Sequence, residues 1–126
     1  MSKSEPLVCI GVPVYNGEKF LKNCLDSLLS QTFTNFNLII SDNASTDSTQ
    51  SICQEYVQKD KRIQYYRQTK NIGIILNHKF VLAKSTSKYF LWAAADDLWH
   101  NTFLEKNVKI LENHKNFVGS ISEIKQ

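Results

Sequence analysis

Apolar residues along this chain gather in two ways, short unbroken runs and stripes of helical period, and the two alternate from end to end. Leu7 to Val12 is an apolar run between Pro6 and Pro13, which predicts a buried strand that stops at Pro13. Between Glu18 and Gln31, Phe20, Leu21, Cys24, Leu25, Leu28 and Leu29 recur at helical spacing, with Asn16 as the expected N-cap. Phe36 to Ser41 predicts a second buried strand, ending at Asp42-Asn43. Asp47 to Gln50 reads as a capping box before a helix whose inner face carries Ile52, Tyr56 and Val57. Ile63 to Arg67 is shorter and more polar, as suits a strand at a sheet edge. Asn71 to Lys84 predicts a third helix with Ile74, Ile75, Val81 and Leu82 inward. Tyr89 to Ala95 predicts a buried strand, and Thr102 to Asn113 a helix carrying Leu104, Val108 and Leu111. Phe117 to Ile121 begins a fifth strand.

Strand–helix repeats with connections too long for hairpins imply an α/β fold, a Rossmann-like three-layer sandwich with a mainly parallel sheet. Right-handed crossovers place the ends of the first, second and fourth strands on one rim. Pro13 to Asn16, Ser41 to Asn43 and Ala95 to Asp97 all fall there, so three polar clusters distant in sequence converge. No linker or repeat divides the chain, and residues 1–126 are expected to be a single domain.

Composition narrows the classes of function. A hydrophobic content of 42% excludes a disordered chain. The net charge of +3 is spread thinly, Lys59, Lys61 and Arg62 being its densest group, so no nucleic-acid partner is expected. Cys9, Cys24 and Cys53 lack a C-x-x-C pattern and read as reduced, buried thiols of a cytoplasmic protein. His78, His100 and His114 show no metal-ligand spacing, and no signal peptide or membrane-spanning run is visible.

The sharpest chemical feature is the adjacent pair Asp96-Asp97 after the last long apolar run. Two carboxylates at a strand end repel and lose hydration, so they call for a cation or a set of donors. In open α/β sheets that end of the strands is where ligands bind, which suggests a divalent metal bridging to a diphosphate. A turn opening the next helix is the alternative. Tyr15 offers an aromatic face for a base or, alternatively, packs beneath its loop. Asp42 can accept a ring N–H of a nucleobase or cap the turn through Asp47. Base, ribose and metal–diphosphate contacts together make a nucleotide site without a glycine-rich phosphate loop.

Four segments, Val8 to Glu18, Ile40 to Asp47, Asn71-Ile-Gly73 and Trp92 to Trp99, resemble the family-2 glycosyltransferases of GT-A fold, in order and spacing from about Leu7 to the C-terminus. The resemblance implies that Pro13 and Tyr15 line the base pocket, Asp42 contacts the base, and Asp96 lies near the ribose. Asp97, with Asp96, would ligate a divalent metal, Mn2+ or Mg2+, while Glu18 and Asn71 sit close to the nucleotide. Two positions depart from the family pattern. Ala94 stands where many members carry a further Asp, and Leu76 where many carry an Arg before the Asn. Family domains run to roughly twice this length, so the resemblance also implies a truncated domain whose acceptor pocket and catalytic base lie beyond Gln126. The implied reaction moves a sugar from a nucleoside diphosphate sugar, usually UDP-linked, to an acceptor hydroxyl of a glycan or lipid-linked acceptor, with inversion. Polysaccharide biosynthesis, a cytoplasmic location, peripheral membrane association through parts outside this chain, and self-association accompany it as expectations. A nicotinamide-binding fold lacks its G-x-G-x-x-G, and a receiver-like signalling domain would need acids where Pro13 and Tyr15 stand. A nucleotide-binding fragment without turnover is the remaining alternative.

Overall fold

The unbroken apolar runs become strands because the sheet they enter is covered on both faces. In the computed structural model, which describes residues 5–114, β1 (Val8–Val14), β2 (Phe36–Asp42), β3 (Ile63–Arg67) and β4 (Tyr89–Trp92) are all parallel. Their order among the described residues is β3-β2-β1-β4. The helices between and after them are α1 (Leu21–Leu29), α2 (Thr49–Lys59), α3 (Ile74–Lys84) and α4 (Phe103–Asn113). The expected strand Phe117 to Ile121 lies outside the described residues.

Side-chain alternation along the strands builds two cores. Val8, Ile10, Val12 and Val14 of β1 and Phe36, Leu38 and Ile40 of β2 pack with Leu21, Cys24, Leu25 and Leu28 of α1, Ile52, Cys53 and Tyr56 of α2, and Leu104 and Val108 of α4. Burying each large aliphatic side chain here contributes about 1.5–3 kcal/mol. Cys9 and Ile39 point the other way, towards Val81 of α3, with Tyr66 and Phe90 alongside. That layer is thin because α3 sits close to the sheet. A Cβ added at Gly11 would lie 2.6 Å from both Val81 Cγ1 and Phe90 Cζ.

The first two crossovers step outward from β1 to β2 to β3, and α3 then carries the chain back over the opposite face to β4. The winding reverses between β1 and β4, which makes the rim there the ligand-binding crevice of such a fold.

Several local expectations are corrected. β1 runs through Pro13 to Val14. The Gly11 carbonyl accepts the Ala93 amide while the Val14 carbonyl accepts the Asn43 amide, so the backbone of Pro13, two residues after Gly11, faces the β4 side. The β4 ladder has already ended at Trp92 opposite Gly11, so the missing N–H costs no ladder bond. α1 starts at Leu21, and its N-cap residue is Phe20 without a side-chain bond; Asn16 instead has φ 51° and serves the neighbouring loop. α2 has no capping box, because its lead-in is bonded across to Glu18. β4 ends at Trp92 rather than Ala95 and is only half buried, since Asp97 N–H bonds the Ala94 carbonyl and turns the chain away.

α3 is rotated from the expected phase. Ile74, Ile75 and Leu82 are exposed, and Asn77 and Val81 face the sheet. The cause is a buried polar anchor: the Ser41 hydroxyl donates to Asn77 Oδ1 at 2.6 Å, and Asn77 Nδ2 donates to the Ser41 carbonyl at 3.0 Å. A buried amide without partners costs more than one exposed isoleucine, so the amide sets the phase of the helix.

Candidate functional site

The loop after β1 is held by the loop after β2. Val14 stands opposite Asp42 in the sheet register, and the Asn43 amide donates to the Val14 carbonyl at 2.8 Å. Two residues on, the Asn16 amide donates to Ser45 Oγ at 2.8 Å, and Asn16 Oδ1 accepts from the Thr46 amide at 2.8 Å. Gly17 donates to Thr49 Oγ1, Glu18 N–H donates to Asp47 Oδ2, and Ser48 N–H donates to Glu18 Oε2. Asp47 also receives the Thr49 amide and hydroxyl, and these donors hold its carboxyl below the ordinary carboxylate value against a desolvation that raises it. Tyr15 projects from this laced segment with half its surface exposed.

Asp42 takes up the turn-capping alternative in this structure. Its carboxylate is completely buried, with Oδ1 accepting from the Ser45 amide at 2.9 Å. Oδ2 accepts from the Tyr65 hydroxyl at 2.6 Å and from Arg67 Nη1 at 3.0 Å. Arg67 is opposite Asp42 in the register, so one salt bridge closes across the ends of β2 and β3. Burial and the bond to Asp42 push the Tyr65 phenol up. In this arrangement Asp42 presents no oxygen to the crevice, and it acts as the cap of its own turn.

On the other side of the crevice, Ala94 to Asp97 form a turn in which Asp97 Oδ2 accepts from the Ala94 amide at 3.1 Å. Asp96 is exposed and Asp97 half buried. α1 reaches this turn through Cys24, whose thiol donates to the Ala94 carbonyl at 3.3 Å. Burial, then the charges of Asp97 and Asp96, push that thiol up to about 12. The two sides lie close together: a Cβ built on Gly17 would come within 3.5 Å of Ala95 Cβ. Pro13, Tyr15, Glu18, Asp96 and Asp97 therefore share one rim.

Among the described residues no group of three His, Cys, Asp or Glu side chains could hold a metal. The pair Asp96 and Asp97 nonetheless supplies hard oxygens, with Asp96 exposed and Asp97 committing one oxygen to its turn. This donor set suits Mg2+ or Mn2+, which binds one or two carboxylates and completes its shell with phosphate and water.

Asn71 lies further along the rim in a small amide cluster. Its Oδ1 accepts from Asn43 Nδ2 and the Gly73 amide, and Asn43 Oδ1 accepts from the Ile72 amide. Gly73, at φ 86°, occupies the left-handed region that glycine tolerates before α3 begins. Ser45, Tyr65 and Arg67 carry no site role in the sequence reading, and Ser41, Asn43 and Asn77 enter it without the bonds they make here. The one available signal was a concentration of Ser, Asn and Arg at successive strand ends. A cavity of about 300 Å³ lies between β4 and α4, lined by Tyr89, Leu91, Leu104 and Val108 and away from the acidic pair.

Comparison with known proteins brings the same region into view. The family model described as glycosyl transferase family 2 matches residues 9–126. An uncharacterized glycosyltransferase of Rickettsia typhi is 34% identical over 111 residues, covering 88% of this chain and 34% of that protein. S. aureus TarS, solved in complex with UDP, superposes with a TM-score of 0.80 at 25% identity, over 86% of this chain and 32% of that one. A mannosyltransferase from Pyrobaculum calidifontis, solved with GDP-Man and Mn2+, gives 0.77 at 25% identity, over 86% of this chain and 33% of that one. The chain thus spans about a third of the length of these relatives, and its parallel sheet corresponds to the N-terminal part of their GT-A fold. Among the described residues no helix is long and apolar enough to cross a membrane.

Proposed function

The chain belongs to glycosyl transferase family 2, and from that premise we propose that it forms the donor-binding part of an enzyme transferring a sugar from a nucleoside diphosphate sugar to an acceptor hydroxyl. The same membership replaces the receiver-like alternative. The observation that carries the proposal is the meeting of the Tyr15 loop and the Asp96-Asp97 turn at the reversal point between β1 and β4. An aromatic face on one side and two carboxylates on the other match the two ends of a nucleoside diphosphate. UDP in TarS and GDP-Man with Mn2+ in the mannosyltransferase support this choice of ligand class.

In this reading Tyr15 stacks on the base, Pro13 walls the pocket, and Asp96 accepts from the ribose hydroxyls. Asp97, with Asp96, holds a divalent cation, which supplies positive charge where the diphosphate departs. Glu18 and Asn71, engaged in bonds between loops, keep the rim in shape. Asp42 supports the base site from below instead of touching the base. UDP is the expected carrier and inversion the expected stereochemistry, while the acceptor and the base are assigned to none of the residues described.

Calorimetric titration tests the reading. UDP binds in the presence of Mn2+, and its affinity falls at least tenfold in EDTA or in Asp97→Asn, which keeps the size of the side chain but loses its charge. Equal affinity with Mn2+ and with EDTA removes the metal role of the pair. Absence of UDP binding under both conditions removes the proposal itself.

A further inference from the structure

Tyr15 owes its position to residues two strands away. The backbone on either side of it is tied to the β2–α2 loop, Val14 C=O to the Asn43 amide and Asn16 N–H to Ser45 Oγ. Ser45 is itself gripped at three atoms. Its hydroxyl takes the Asn16 bond, its amide donates to Asp42 Oδ1 at 2.9 Å, and its carbonyl accepts from Arg67 Nη2 at 2.9 Å. Arg67 uses its other terminal nitrogen on Asp42 Oδ2, and the Tyr65 hydroxyl fills the remaining place on that oxygen.

We infer that Arg67, assisted by Tyr65, is a positioning residue for the nucleobase site, fixing the Tyr15 loop through Asp42 and Ser45. The inference rests on the reading of Tyr15 as the base-stacking residue. Its physical content is that a planar fork with two donors can span two acceptors at once, here a buried carboxylate and a loop carbonyl. A lysine can neutralise the carboxylate but is a point charge on a flexible stem, so it cannot hold both acceptors in fixed geometry. Nothing in this chain of bonds involves Asp96 or Asp97, so positioning of the base is separable from binding of the diphosphate.

The test compares Arg67→Lys and Tyr65→Phe with the unaltered chain, using UDP and inorganic pyrophosphate as probes, each with Mn2+. Both variants leave Asp42 with a partner, so folding is preserved, which a thermal melt verifies. In Arg67→Lys the Kd for UDP rises about tenfold, within the range that one base–aromatic stack contributes, and that for pyrophosphate stays within twofold. Tyr65→Phe gives a smaller rise of the same selectivity. Amide hydrogen exchange supplies a readout independent of any ligand: Asn16 N–H exchanges faster in Arg67→Lys while Leu25 in the core is unchanged. Unchanged exchange at Asn16, an unchanged Kd for UDP, or equal weakening of UDP and pyrophosphate overturns the inference. If the unaltered chain binds no UDP, the base-site reading fails with it, whereas the link from Arg67 to Asn16 is still decided by exchange.

Discussion

Replacing Asn77 by Ala is expected to be among the costlier single changes in this chain, although the residue follows Ile74, Ile75 and Leu76 on its helix. Asn77 is 3% exposed and Ser41 fully buried. The substitution removes the bond from the Ser41 hydroxyl at 2.6 Å and the bond to the Ser41 carbonyl at 3.0 Å. Each is worth about 1 kcal/mol net, and a buried hydroxyl left without an acceptor costs about 1–3 kcal/mol more. The sum is about 3–5 kcal/mol. With a urea m-value of about 2 kcal/mol/M, the unfolding midpoint falls by about 1.5–2.5 M at unchanged slope. Ser41 also accepts from Gln68 Nε2 at 3.1 Å, so Ser41→Ala carries a penalty of its own. The double variant nevertheless costs less than the two singles together, by about 1–2 kcal/mol, because removing both partners leaves no orphan. Ile75→Ala, at 71% exposure, serves as the control and stays within about 0.5 kcal/mol. A loss under about 1 kcal/mol for Asn77→Ala, additive singles, or a core-sized loss for Ile75→Ala would refute the argument that the amide sets the rotation of α3.

Three further outcomes follow from local geometry. Gly11→Ala forces a methyl to 2.6 Å from Val81 Cγ1 and Phe90 Cζ and lowers stability by about 1–3 kcal/mol, read in the same urea titration; no loss would mean that α3 can lift from the sheet freely. Ala44 holds φ 62°, a left-handed conformation costing a side chain about 1–2 kcal/mol, so Ala44→Gly stabilises by up to about 1 kcal/mol after the entropy of the freer unfolded glycine is deducted; a loss of stability would refute the strain. Burial pushes the Cys24 and Cys53 thiols up to about 12 from 9.0, so at pH 8 a thiol-specific colorimetric reagent reacts with them only after denaturant is added. The sign follows from the neutral thiol being the native form. Its contribution is complete below pH 9 and disappears as pH rises towards 12, so the urea midpoint falls over that interval, and less steeply in Cys53→Ala.

Much of the architecture is legible in the sequence because it depends on local pattern. The stripe from Leu21 to Leu28 requires a helix with one buried face, and the runs in β1 and β2 require strands covered on both sides. Alternation of the two kinds of segment then leaves few topologies besides a parallel sheet, and that topology places the Tyr15 loop and the Asp96-Asp97 turn on one rim. The tertiary structure decided what polar groups do once buried. Whether Asp42 faces a ligand or a guanidinium depends on Arg67, 25 residues later, falling opposite it in the register of a neighbouring strand. Whether Ile75 or Asn77 enters the core depends on a hydroxyl 36 residues before Asn77. Asn16 spends its side chain on a loop 30 residues away and so never caps α1. Hydrophobic periodicity is carried within a single segment and survives being read alone. A hydrogen bond between two segments exists only after both have been placed, and the high cost of leaving a buried polar atom unpaired lets that bond overrule the local pattern.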